Sequence, residues 1–210
     1  PTSGPDNLQA SAAGSEIHGG LGDDTLTGGA GKDYLRGDEG NDSITGGDSF
    51  DDLNGNMGDD TVSGGLGDDW VVGGKDQDRL FGDDGDDIVY GNLGSDTASG
   101  GAGADVVRGG QDNDSISGGA GADWMSGDRG DDTISGGTGA DVFHSFGDAG
   151  IDRIIDFSRA EGDRIQLDVG TTYSAAQVGA DTVLSLGAGG QVILVGVSLS
   201  SLTGDWLFYL

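Results

Sequence analysis

Between residues 19 and 144 an apolar side chain returns at every ninth position: Leu26, Leu35, Ile44, Leu53, Val62, Val71, Leu80, Val89, Ala98, Val107, Ile116, Met125, Ile134 and Phe143. One residue to either side points the other way if the backbone is extended, so each apolar position predicts a short strand with one inward side chain. The six residues between successive strands are Gly-rich and acidic, which predicts a turn containing positive φ angles. Strand and turn alternate with no insertion or deletion.

The result is fourteen nine-residue units, from Gly19-Gly20-Leu21-Gly22-Asp23-Asp24-Thr25-Leu26-Thr27 to Gly136-Gly137-Thr138-Gly139-Ala140-Asp141-Val142-Phe143-His144. Position one is Gly and position six is Asp in every unit. A strand of three residues cannot stand alone, so the chain is expected to coil, two units to a rung. Seven rungs at a strand spacing of ~4.8 Å make a flattened parallel roll roughly 34 Å long. Residues 1–18 form a polar leader in which Ser15 falls where Asp should be and Ile17 where the inward residue should be. They read as a degenerate rung covering the open edge.

Composition changes this picture in one respect. The chain has 38 acidic and 9 basic residues and a net charge of −29. So much like charge with so few large apolar residues would ordinarily leave a chain disordered. The strict period argues otherwise, provided something neutralises the acid. The charge excludes nucleic acid and anionic lipid as natural partners. No apolar run reaches the length of a membrane span, and no basic and apolar signal peptide opens the chain. With no Cys, neither a disulfide nor a thiolate site holds the fold. The chain begins at Pro1 without a Met, as a piece of something longer would.

Carboxylates and backbone carbonyls, with no nitrogen or sulfur ligand, describe a site for a hard cation, and flexible oxygen ligation suits calcium better than magnesium. The repeat G-G-x-G-x-D-x-U-x resembles that of the RTX (repeats-in-toxin) calcium-binding proteins. This resemblance implies an all-β, right-handed parallel β-roll, two nonapeptides per turn and about seven turns, capped by a small C-terminal β segment. It implies calcium held between stacked turns by the sixth-position Asp side chains and turn carbonyls. One edge carries Asp24, Asp42, Asp60, Asp78, Asp96, Asp114 and Asp132, and the other Asp33, Asp51, Asp69, Asp87, Asp105, Asp123 and Asp141. Seven turns leave six gaps on each edge, so about twelve Ca2+ sites are expected. Residues 1–144 hold 30 acidic and 6 basic side chains, a net of −24, which twelve calcium ions would cancel. At position four, Ser49, Asp76 and Asp112 replace Gly and either add a ligand or strain the turn.

Odd and even units fall on opposite faces. The odd face is almost all Thr and Ser, interrupted by Arg79 and Phe81. The even face carries Tyr34, Trp70, Tyr90 and Trp124 among apolar neighbours, and is a candidate surface for an upstream domain or a glycan. His18 and His144 are too far apart in sequence to build a catalytic or zinc site.

After His144 the period stops. Residues 151–157 and 162–168 read as two strands around an acidic turn, 181–186 and 191–195 as a hairpin across 187–190, and 205–210 as a closing strand. The segment is similar to the C-terminal caps of RTX proteins. In those families the C-terminus is also the signal for type I secretion machinery, a pattern that Asp205 followed by Trp206 to Leu210 fits. The chain thus divides into a leader (1–18), the repeat roll (19–144) and a cap with the secretion signal (145–210). No H-E-x-x-H, G-x-S-x-G or Ser/His/Asp grouping is present, so no enzyme is expected within these residues. The function expected is a secreted, extracellular or cell-surface module that folds on calcium and supports the export of a larger protein. An adhesin, surface-layer or glycan-binding module, or the trailing part of a hydrolase or epimerase, is the alternative.

Overall fold

The computed structural model describes residues 2–11 and 13–210; Pro1 and Ala12 of the leader lie outside them. The chain passes back and forth between two sheets, one of twelve strands and one of ten. Strands of the odd units (Thr25–Gly29, Ser43–Asp48, Thr61–Leu66 and onward to Thr133–Thr138) lie in the first sheet. Those of the even units (Tyr34–Glu39, Asp52–Met57, Trp70–Lys75 and onward to Val142–Ser145) lie in the second. All pairing within the array is parallel, with a register of eighteen residues, as in Leu26 to Ile44 and Leu53 to Val71. An all-β parallel roll is therefore what the repeat builds.

The strands are longer than the hydrophobic pattern predicts. Thr61–Leu66 is typical: it begins at position seven, crosses the unit boundary and ends at position three, leaving only Gly67, Asp68 and Asp69 for the turn. Alternation then turns positions eight and one inward, and both are buried. All fourteen position-eight residues are buried and form one continuous core.

The invariant Gly at position one follows from this. Its φ is not positive, so conformational freedom is not the reason. What it lacks is room. A Cβ on Gly64 would lie 2.5 Å from Asp69 Oδ2 and 2.6 Å from the carbonyl oxygen of Gly82. Positive φ belongs to positions two and four, where non-Gly residues also occur: Asp38, Asn56, Asp83, Asn92 and Asp128 at position two, and Ser49, Asp76 and Asp112 at position four. There φ narrows to 74–82° for all but Asp128, at 68°, whereas Gly65 and Gly74 sit at 113° and 128°. The backbone shifts to admit the Cβ, and the strain expected at Ser49, Asp76 and Asp112 is present.

Stacking continues past both ends of the array. In the leader, Asn7–Gln9 pairs with Thr25–Gly29 and Glu16–Leu21 with Tyr34–Glu39, which sets Leu8 and Ile17 against the core. In the C-terminal segment, Ile151–Ile154 and Arg164–Leu167 add one strand to each sheet, and Gln191–Leu194 and Leu207–Tyr209 add another. Each sheet thus stacks ten strands in parallel, seven of them from the repeats. The hairpin across 187–190 forms as expected, but a further strand that the pattern did not reveal, Tyr173–Val178, pairs with its outer side. Tyr173–Val178 alternates poorly and is almost wholly exposed, which is why it leaves no hydrophobic signature.

The even face meets this cap at one end. Trp124 Nε1 donates to Gln166 Oε1 at 3.0 Å, its ring stacks on His144 at 5.2 Å, and His144 Nε2 lies 3.0 Å from Asp168 Oδ1. Tyr34 and Trp70 remain 46% and 44% exposed.

Two outcomes follow, both measured by urea unfolding in saturating calcium. Gly64→Ala should lose about 2–3 kcal/mol because backbone and a buried carboxylate bound the space, while Asn56→Gly, at a position already in positive φ, should change by under ~1 kcal/mol; equal losses would rule out the steric account. Trp124→Ala should cost about 2 kcal/mol and speed hydrogen exchange in the C-terminal strands, whereas Trp70→Ala should stay within ~0.5 kcal/mol.

Candidate metal centre

Each turn ends on the sixth-position Asp, whose side chain folds back under the strand that follows. All fourteen are buried, none more than 4% exposed. A buried carboxylate needs donors or a cation, so its hydrogen bonds decide what the turn can do. The Oδ1 atom accepts from the backbone N–H of the Asp one rung earlier: Asp24 to Asp42 at 2.7 Å, Asp42 to Asp60 at 2.8 Å, Asp51 to Asp69 at 2.7 Å, Asp123 to Asp141 at 3.0 Å. The two columns of Asp therefore stand in line along the two edges of the roll, as the eighteen-residue spacing requires.

The Oδ2 atom of every one of the fourteen is buried and has no donor among the described residues. Each lies over the position-one Gly of its own unit. Carbonyl oxygens gather around the same turns. At position four, a Cβ on Gly40, Gly58, Gly85 or Gly103 would fall 2.0–2.2 Å from the carbonyl oxygen of the equivalent residue one rung earlier. Those carbonyls aim into the space between turns. The local chemistry is thus a stack of negative dipole ends and donorless anionic oxygens, and it fits a hard cation in flexible oxygen coordination. Among the described residues no three His, Cys, Asp or Glu side chains converge on one point. Side chains alone would not complete a site; the backbone has to supply the rest.

Burial pushes the carboxyls up. Desolvation lifts Asp51, Asp87, Asp96, Asp105 and Asp123 to about 6, Asp60 and Asp69 to about 7, and Asp78 and Asp114 to about 8, while Asp42, Asp132 and Asp141 are raised as well. The N–H from the rung before opposes the rise in each case, and neighbouring carboxylates mostly reinforce it, as Asp60 and Asp96 do for Asp78. Without a cation, a substantial share of these groups would hold protons at neutral pH.

Four residues outside the repeats join the columns. Asp6 N–H donates to Asp24 Oδ1 and Ser15 N–H to Asp33 Oδ1, at 2.7 and 2.6 Å. Asp163 Oδ1 accepts from Asp141 N–H at 3.1 Å, and Asp152 stands one rung beyond Asp132 by the pairing of Thr133 with Arg153. Asp6 keeps the eighteen-residue period and was open to discovery by counting backwards. Asp152 and Asp163 sit twenty and twenty-two residues after their predecessors, and no fixed period reaches them. Of the position-four exceptions, Ser49 Oγ donates to the Ala30 carbonyl at 3.2 Å, outside the carboxylate column. His18 approaches Glu16 and Asp38 at the surface, remote from His144.

The family model for the RTX calcium-binding nonapeptide repeat matches in overlapping segments, from residues 2–35 through to residues 117–154. Comparison with curated protein sequences gives no match. Among 21 solved chains that match, the extracellular lipase LipA from Serratia marcescens is 20% identical with a TM-score of 0.35; the alignment covers 99% of this chain and 40% of that one. No helix among the described residues is long and apolar enough to cross a membrane. The model matches extend over most of the sequence and coincide with the stacked turns and their buried carboxylates: the chain belongs to the RTX calcium-binding nonapeptide-repeat family.

Proposed function

We propose that this chain is the calcium-dependent folding module of a larger secreted protein, and that the fourteen sixth-position Asp residues, Asp24 through Asp141 at nine-residue intervals, are its calcium ligands. The observation that carries the reading is the set of fourteen buried Oδ2 atoms with no donor among the described residues. Each ion lies between two consecutive turns of one edge, bound by carboxylate oxygens and turn carbonyls, which gives about twelve sites within the repeats. Residues 1–18 serve as the first rung, 19–144 as the roll and 145–210 as the cap.

The core supports this division of labour. It is a single file of side chains from each sheet, thin for a chain with 46 Gly to order. Ion binding is therefore folding free energy here. Where calcium is scarce, as in the cytosol, the acidic chain stays unfolded and fits a narrow export channel of the type I kind; outside, millimolar calcium folds it. The final residues, Asp205 to Leu210, serve as the export signal. The chain's own part is structural and not catalytic.

A second reading concerns the even face. Trp124 is engaged by the cap, while Tyr34 and Trp70 stand exposed, so a domain or glycan that docks on this face would use the N-terminal half of it.

Circular dichroism tests the main reading. In excess chelator at pH 7.5 the chain should lack strand signal and gain it cooperatively on adding calcium; a strand-rich spectrum indifferent to calcium would refute it. Asp78→Asn should raise the calcium concentration at the midpoint by roughly tenfold, since affinity follows the charge of the ligand set. The pH dependence runs in a definite direction. Unfolded Asp titrates near ~3.9, and twelve of the buried Asp, Asp42 and Asp51 through Asp141, titrate higher in the folded state, nine of them between about 6 and 8. Their protonation stabilises the calcium-free fold fully below pH ~4, and that contribution is lost as pH rises through 6 to 8. The chelated chain should accordingly gain strand signal between pH 8 and pH 4.5, and calcium binding at pH 6 should release protons, measurable in buffers of different ionisation enthalpy.

A further inference from the structure

We propose that the first Asp column continues one step past the repeats and binds an additional divalent cation, of the calcium class, between the turn of Asp132 and the turn of Asp152. The inference rests on the calcium reading of the interior turns. What it adds is a site outside the nonapeptide pattern, with a different ligand set.

The unit after His144 breaks the period by two residues but restores the turn. Ala149 takes the place of position three, since its carbonyl accepts from Gly130 N–H at 2.8 Å as the position-three carbonyl of Asp84 does from Gly67. Gly150 takes position four: it has a φ of 125°, and a Cβ there would lie 1.9 Å from the Gly130 carbonyl oxygen. Gly150-Ile151-Asp152 therefore reproduces the Gly-x-Asp turn of the array, with the extra length absorbed before it. Asp152 is 2% exposed and stands one rung beyond Asp132, by the pairing of Thr133 with Arg153.

Two details distinguish this junction. Asp152 Oδ2 accepts from the buried Ser145 hydroxyl at 3.2 Å. Ser145 stands at the position where every unit of the array has Gly. Among the described residues Asp152 Oδ1 is then without a donor, and so is Asp132 Oδ2 one rung before it. Two buried carboxylates on neighbouring rungs, each with a bare oxygen, need a positive charge between them or a shared proton. The Gly130 carbonyl beneath Gly150 supplies a further oxygen from the turn below.

The other terminal carboxylates differ. Asp163, at the end of the second column, is satisfied at both oxygens, by Asp141 N–H at 3.1 Å and Ser158 N–H at 2.7 Å. Asp6, at the start of the first, has both oxygens within reach of Thr2. Among the described residues only the Asp152 end of the columns is left open, so the structure assigns the extra ion to one edge and one end.

Calcium bound per chain, measured by equilibrium dialysis on the full chain and on Asp152→Asn, should fall by one ion in the variant and by none in Asp163→Asn. An unchanged count in a folded Asp152→Asn chain would overturn the proposal. Anomalous diffraction from wild-type crystals grown in calcium gives a second measurement that needs no variant. A peak at roughly 2.3–2.6 Å from Asp152 Oδ1 and Asp132 Oδ2 is expected. Peaks in the interior gaps with none at this junction would show a carboxylic pair sharing a proton and would end the proposal, while no peaks in any gap would defeat the calcium reading as a whole.

Discussion

Everything in this molecule hangs on how one carboxylate is divided. The sixth-position Asp gives one oxygen to the backbone N–H of the preceding rung and holds the other, buried, over a Gly with nothing to donate to it. The first half of that arrangement fixes the rungs at one spacing and one register. The second half makes the stack incomplete as protein alone. A hydrophobic core would normally decide stability, but here it is one side chain deep from each sheet, and the edges carry the balance.

The same division explains which parts of the repeat vary. Position one is fixed because the donorless oxygen and the next rung's carbonyl fill the volume a Cβ would need. Positions two and four tolerate Asp, Asn and Ser, because a positive φ is a cost that such residues bear more cheaply than others. Position eight needs only to be apolar, and ranges from Ala98 to Phe143. Positions seven and nine face outward and drift by sheet, hydroxyl-bearing on one and mixed with aromatics on the other.

Periodicity made most of the fold readable before any coordinates. Inward Leu26 through Phe143, the eighteen-residue register and the two Asp columns all follow from counting, because a repeat that cannot bury its own face has one way to stack. The strand ends were less legible. Position-one Gly looks like turn material by composition, and only the stacking shows it to be an inward strand residue. The C-terminal segment was half legible: hydrophobic alternation marked Asp181–Leu186 and Gln191–Leu194, but the exposed Tyr173–Val178 carries no such mark. Asp152 and Asp163 were beyond sequence counting, since insertions of two and four residues before them hide their places in the columns. The contact of Trp124 with Gln166 could not be foreseen either, because it joins residues forty-two apart across a loop of no fixed length.

Because each rung's N–H donates to the carboxylate of the next, the stack has a chemical direction. Along the Asp columns, a cut anywhere leaves carboxylates without donors on the N-terminal face and N–H groups without acceptors on the C-terminal face. The chain closes the two differently: backbone N–H groups of Asp6 and Ser15 cover the first face, while Asp163 and Asp156, which accepts from Ser135, Gly136 and Gly137, cover the second. The two plugs are therefore not interchangeable: one supplies donors to the columns, the other acceptors. The roll is in this sense a polar filament with unlike ends.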